Sequence, residues 1–91
     1  MAQSVSVKVK IMNRLGLHAR PAMSFVDAAS LFKSEVKVCR EDTEVDGKSI
    51  MQMMMLAASE GTELQVIAVG SDAATCCDAL KKLVESGFDE E

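Results

Sequence analysis

VSVKVKIMNRLGLHARPAMSFVDAASLF, residues 5–32, changes its periodicity partway along. Val5, Val7, Val9 and Ile11 alternate with Ser6, Lys8 and Lys10, the period of two that marks a strand with one buried face. MNRLG, residues 12–16, breaks the alternation, and over residues 22–32 Ala22, Phe25, Val26, Ala29 and Phe32 fall on one helical stripe. Where strand hands over to helix stands LGLHARPA, residues 15–22, with the chain's single histidine and single proline.

The same two periods recur downstream. Glu35 to Arg40 alternates and buries Val36 and Val38; EDT is a turn, and Thr43–Val45 a short return strand. Residues 49–58 favour helix, with Gly61 as the stop. Leu64, Val66 and Ala68 alternate with Gln65 and Ile67 in a last strand closed by Gly70. Asp72 can cap a final helix bearing Ala73, Cys76, Leu80, Leu83 and Val84, with Gly87 as its stop. The order is βαββαβα, and one-sided alternation in every strand predicts an α+β fold, a two-layer open-faced sandwich with the helices on one face of an antiparallel sheet.

Ninety-one residues predict one domain, residues 1–91, since chains run to ~100–200 residues per domain. With 48% hydrophobic and 26% charged residues the composition is that of a globular protein, not of a disordered one. No apolar run reaches the ~18 residues that span a bilayer, and the first residues lack an export signal, so a cytoplasmic place and no membrane insertion are expected. Cys39, Cys76 and Cys77 form neither a disulfide framework nor a zinc knuckle, so they read as buried reduced thiols, with no metal and no cofactor. Residues 1–40 carry a net +5 and residues 41–91 a net −9, for −4 overall. An acidic chain without tyrosine or tryptophan argues against nucleic acid as a partner, while the basic half, which contains the histidine, can attract anions or acidic partners.

His18 has a plain reading, as a cap or filler at a helix start. The residue before a proline avoids helical geometry, which would make Arg20 the cap; His18 as cap still leaves Pro21 in the first turn, where its missing N–H costs nothing. Either way His18 stands over a helix N-terminus carrying roughly +0.5 of a charge and unsatisfied N–H groups. That potential favours a neutral, nucleophilic ring. The donors of Ala19 and Arg20, with the planar Arg20 guanidinium, suit the oxygens of a phosphoryl group. Positioning and charge stabilisation are most of what phosphoryl transfer asks of a protein.

GLHARPA, with VDGKSIM about thirty residues later and then EGTEL, resembles the HPr family of histidine-containing phosphocarriers of the bacterial sugar phosphotransferase system, over essentially the whole chain. The resemblance implies a four-stranded antiparallel sheet under three helices and a histidine that caps the first helix. It implies that His18 takes a phosphoryl group on Nδ1 from phospho-enzyme I, itself charged by phosphoenolpyruvate, with Arg20 assisting. The group then passes to enzyme II proteins of the A type for sugar uptake and regulation. The chain would thus be a monomeric carrier, covalently modified and regenerated, and not a stand-alone enzyme.

Ser49-Ile50-Met51-Gln52 fits the S-x-x-Q capping box, which alone accounts for Ser49. In the family the matching serine is also a regulatory phosphorylation site in many bacteria, which implies an HPr kinase/phosphorylase acting on Ser49 as a further partner. Its phosphate would not break the helix but would place about two negative charges beside a contact patch. Residues 50–58 hold Ile50, four methionines and Leu56, with Gln52 the sole polar interruption. Core packing explains one stripe, Met53, Leu56 and Ala57; the remainder must face solvent, where methionine suits several successive partners. The resemblance assigns Ile50, Met51 and Met54 to docking, with Lys48 a local positive charge. Several members carry basic residues where this chain has Asp27, Ser30 and Gln52, leaving Lys48, Arg20, Arg14 and Lys33 to meet acidic partners.

Four rivals remain. A regulatory HPr-like protein in a phosphotransfer signalling chain, moving no sugar, would use the same His18 chemistry. A small α+β enzyme of acylphosphatase type would need an arginine and asparagine cradle, and a metal-delivery domain a C-x-x-C; neither is present. A non-catalytic binding module with an incidental histidine leaves both motifs unexplained.

Overall fold

A computed structural model describes residues 3–88. The elements run β1 (Gln3–Lys10), α1 (Ala19–Ala29), β2 (Glu35–Arg40), β3 (Thr43–Asp46), α2 (Ile50–Met55), β4 (Glu63–Gly70) and α3 (Ala73–Glu85). The four strands form one sheet in the order β1-β4-β2-β3, with every neighbouring pair antiparallel. This is the open-faced α+β sandwich that the alternation predicts.

Register explains how the pattern becomes a core. Val7 pairs with Val66, Val66 with Val38, and Val38 with Val45, so one row of valines crosses all four strands. The next row runs Val5, Ala68, Val36. β-branched residues suit such rows because their side chains pack well on a pleated surface. Against them lie Ala22, Phe25, Val26 and Ala29 of α1, Met53 of α2, and Cys76, Cys77, Leu80 and Val84 of α3. The opposite face carries Ser6, Lys8, Lys37, Glu44 and Gln65, all exposed, with a Lys37–Glu44 ion pair at 3.2 Å.

Several boundaries differ from the sequence reading, each for a tertiary reason. α1 begins three residues before Ala22 and ends at Ala29, with Leu31 and Phe32 held by tight turns to the carbonyls of Ala28 and Ala29. α2 is shorter than residues 49–58, because Ala57 turns into left-handed backbone at φ +49°. That turn buries Ala58 and exposes Ala57, so the core stripe is Met53, Leu56 and Ala58, not Ala57. The Arg40 guanidinium secures it, donating to the carbonyls of Leu56 at 2.7 Å and Ala57 at 3.1 Å. Those are the orphan acceptors of a helix end, where a cation is favoured.

Asp72 sits at the α3 cap position, yet its side chain makes no cap bond. Its carboxylate instead accepts the backbone N–H groups of Lys33 at 2.8 Å and Ser34 at 3.0 Å, together with the Ser34 hydroxyl. The Ser34 hydroxyl and then the Lys33 amide hold the Asp72 carboxyl below the usual aspartate range. α3 does stop at Gly87 as expected: Gly87 N–H donates to Val84 and Phe88 N–H to Leu83, the paired bonds of a Schellman closure. No helix among the described residues is long and apolar enough to cross a membrane.

Candidate functional site

The chain resolves which residue caps α1. His18 is the N-cap, with extended backbone (φ −92°, ψ −167°) and a carbonyl that accepts Ala22 N–H at 3.0 Å. Ala19 and Arg20 are then the first two helical residues and Pro21 the third, still within the turn where no N–H is missed. The rule that disfavours helical backbone before proline is overridden at Arg20.

The override comes from the loop in front. Asn13 and Gly16 close a turn, Gly16 N–H to Asn13 carbonyl at 3.2 Å and Asn13 Nδ2 to Gly16 carbonyl at 2.7 Å. His18 N–H then folds back on the Gly16 carbonyl at 3.0 Å. Three further bonds tie this loop to the chain beyond α2: Leu17 N–H to Ala58 carbonyl at 2.8 Å, Ile11 N–H to Thr62 carbonyl at 2.9 Å, and Gly61 N–H to Ile11 carbonyl at 2.7 Å. Gly16 has φ +73°, and a Cβ there would lie 2.5 Å from the Ala58 carbonyl oxygen. His18 is thus placed by long-range backbone bonds on its N-terminal side and by α1 on the other.

The His18 side chain is half-buried and makes no cap hydrogen bond to the helix. The N–H groups of Ala19 and Arg20 belong to the first turn, whose donors have no acceptor within their own helix. Arg20 is exposed. An imidazole, two helix-start amides and a guanidinium within three consecutive residues can receive and hold a dianion.

Ser49 caps α2 as read: its Oγ accepts Gln52 N–H at 3.3 Å. The box is only half made, however. Gln52 Oε1 reaches past Ser49 to accept Asp46 N–H at 2.8 Å, while Ser49 N–H donates to the Asp46 carbonyl at 3.1 Å. Lys48 is less available than its charge suggests, since Nζ donates to the Phe32 carbonyl at 2.8 Å, beyond the end of α1. Asp27 and Ser30 are exposed, as are Arg14, Arg20 and Lys33.

Ile50, Met51 and Met54 are exposed, as the surplus of apolar residues on α2 requires. Met12, Leu15, Met23 and Met55 are exposed too, and the sequence reading did not single them out for docking. Leu15 was legible as the apolar residue in a turn, and Met23 as the one lying off the α1 stripe. α1 and α2 pack on each other, which brings these residues and His18 to adjoining elements. Among the described residues no group of three His, Cys, Asp or Glu side chains is placed to share a metal ion.

The fold and site together define a class: a small open-faced sandwich whose first helix is capped by a histidine followed by arginine. The family model for the PTS HPr component phosphorylation site matches residues 5–86. The phosphocarrier protein HPr of Neisseria meningitidis serogroup A is 48% identical over 82 residues, 90% of this chain and 92% of the relative. The phosphocarrier protein NPr of Proteus mirabilis is 41% identical over 85 residues, covering 92% and 94% of the two chains. An HPr crystal structure from Thermoanaerobacter tengcongensis superposes with a TM-score of 0.91 at 42% identity, covering 96% of this chain and 98% of its own. The chain belongs to the HPr family of phosphocarrier proteins of the phosphotransferase system.

Proposed function

We propose that His18 accepts a phosphoryl group from phospho-enzyme I, charged by phosphoenolpyruvate, and passes it to A-type enzyme II proteins in the cytoplasm. A ring lone pair forms the N–P bond as the bond from phosphorus to its donor atom breaks. The N–H groups of Ala19 and Arg20 and the Arg20 guanidinium meet the phosphoryl oxygens, whose charge the positive end of α1 also stabilises. The observation that carries this reading is that His18 is the N-cap residue of α1, with Ala19 and Arg20 as its first two helical residues, which sets the ring at the positive end of the helix beside the guanidinium. Leu15, Met23, Ile50, Met51, Met54 and Met55 supply the apolar surface on which partners dock.

Ser49 supplies regulation in this reading. An HPr kinase/phosphorylase would place phosphate on an Oγ that already accepts the Gln52 N–H in the first turn of α2, so the helix would tolerate the charge and the docking surface would not. A second reading, exchange among regulatory partners with no sugar moved, is favoured by the thin positive charge of α1, where Asp27 and Ser30 stand exposed. Both readings are tested by charging the chain with enzyme I and phosphoenolpyruvate, isolating it, and offering it to A-type enzyme II proteins and to regulatory acceptors separately. Loading followed by discharge to an enzyme II is expected; a chain that does not load overturns both readings, and discharge only to regulatory acceptors selects the second.

A further inference from the structure

α2 spends four of five consecutive positions on methionine, Met51, Met53, Met54 and Met55. Met53 is fully buried, while Met51, Met55 and Met54 are 79%, 70% and 44% exposed. Met12, before the site turn, and Met23, on α1, are each about half exposed. Leucine offers the same helix propensity and the same apolar character. What the thioether adds is adaptability and a sulfur open to two-electron oxidation.

The thiols are the competing sulfurs, and the fold protects them. Cys76 and Cys77 are buried. Burial pushes the Cys76 thiol up to about 11 and raises Cys77 as well. Burial and then the Glu44 carboxylate raise Cys39, whose Sγ lies 3.8 Å from Glu44 Oε1. A thiol held protonated reacts slowly with peroxide, because the thiolate is the nucleophile. A thioether carries no proton to lose, so exposure alone governs it.

We infer that Met51, Met54 and Met55 form a reversible oxidation site through which peroxide-class oxidants close the docking surface beside His18. The inference rests on the carrier reading above. The thioether sulfur attacks one peroxide oxygen; the S–O bond forms as the O–O bond breaks. Sulfur gives up two electrons, and the departing hydroxide takes the proton of the transferred oxygen and leaves as water. Reversal by a sulfoxide reductase returns that oxygen as water while two thiols become a disulfide. The sulfoxide is polar and accepts hydrogen bonds, so seating it against an apolar partner surface without a donor weakens docking about tenfold or more. Because Met53 is shielded, the core is untouched and the fold remains.

The test uses the full chain carrying Cys39→Ser, so that thiol oxidation is set aside. The chain is titrated with hydrogen peroxide, the excess is destroyed, and sulfoxides are mapped by peptide mass. Phosphoryl uptake is then measured from phospho-enzyme I, and separately from phosphoramidate, a small donor that needs no docking surface. Met51 and Met55 are expected to oxidise first and Met53 last. KM toward phospho-enzyme I should rise about tenfold or more, with phosphoramidate uptake and melting temperature unchanged, and a sulfoxide reductase should restore it. A Met23→Leu, Met51→Leu, Met54→Leu, Met55→Leu chain, which also removes the half-exposed thioether that α1 adds to the docking surface, should show no peroxide effect relative to its own untreated rate. An unchanged KM with all three oxidised, a parallel loss of phosphoramidate uptake, or a lowered melting temperature each overturns the inference. If the untreated chain takes phosphoryl from phosphoramidate but not from phospho-enzyme I, the carrier reading itself has failed and the inference falls with it.

Discussion

Replacing Gly16 by alanine tests how the site is held. The residue has φ +73°, where a Cβ is disfavoured by about 1–2 kcal/mol. The added Cβ would also stand 2.5 Å from the Ala58 oxygen and 2.9 Å from Ser59 Cα, both backbone atoms that cannot swing aside as a side chain would. Relief requires the two loops to part, which costs the Leu17 N–H to Ala58 bond, a further ~1–3 kcal/mol if its groups are left unmet. The sum, about 2–5 kcal/mol, corresponds to a fall in melting temperature of roughly 10 °C or more for a domain of this size. Gly61→Ala is the matched control: φ is +88°, but nothing lies within 4 Å of its Cβ, so only the conformational cost of ~1–2 kcal/mol applies. Thermal unfolding by circular dichroism gives both numbers, and phosphoryl uptake on the folded fraction shows whether His18, two residues on, has moved. Equal melting temperatures for the two variants would refute the claim that contact between the loops places the histidine.

Three more outcomes follow from the geometry. Ser49→Asp should weaken docking of phospho-enzyme I, read as a raised KM, while Ser49→Ala, which loses the bond to Gln52 N–H, should instead lower stability by about 1 kcal/mol; identical behaviour of the two would exclude a charge effect. A thiol reagent at pH 8 should label Cys39 first and reach Cys76 and Cys77 only on unfolding, since burial holds Cys76 at about 11; rapid labelling of all three would contradict the packing of α3 on the sheet. The Asp72 carboxyl lies below its ordinary value in the folded chain, so its contribution is complete at neutral pH and fades as the pH falls through the folded-state value, below the usual aspartate range. Asp72→Asn should therefore flatten that part of the acid-unfolding curve, and an unchanged curve would show that the Lys33 and Ser34 bonds carry no linkage.

What could be read ahead of the structure was whatever short-range pattern decides. Val5, Val7, Val9 and Ile11 announce β1 because strand periodicity needs only its own residues, and the same holds for the α1 stripe. His18 and Arg20 were legible because both are rare chemistry at a helix start. Local pattern alone leaves the α1 cap open, since Pro21 argues for Arg20; the family resemblance points to His18, which is the cap, and the neighbouring Leu17–Ala58 bond joins segments far apart in sequence. Gln52 and Asp72 each have a local capping rule to obey and another partner that wins: Asp46 N–H, six residues back, for one and Ser34, across the fold, for the other. Lys48 looked like a free charge for docking until the Phe32 carbonyl claimed it. Leu15 and Met23 were passed over because an isolated exposed apolar residue is unremarkable until the packing of α1 on α2 shows its neighbours.

The central claim is that one ring, held at the head of α1, carries the phosphoryl group. The most direct measurement is the intact mass of the chain after incubation with phosphoenolpyruvate and catalytic enzyme I, for wild type and His18→Ala, before and after brief acid and base treatment. A single phosphoryl addition that is lost in acid, survives base and is missing from His18→Ala is the predicted result. A phosphoryl group that persists in His18→Ala, or one that survives acid, would place it on another residue and contradict the account.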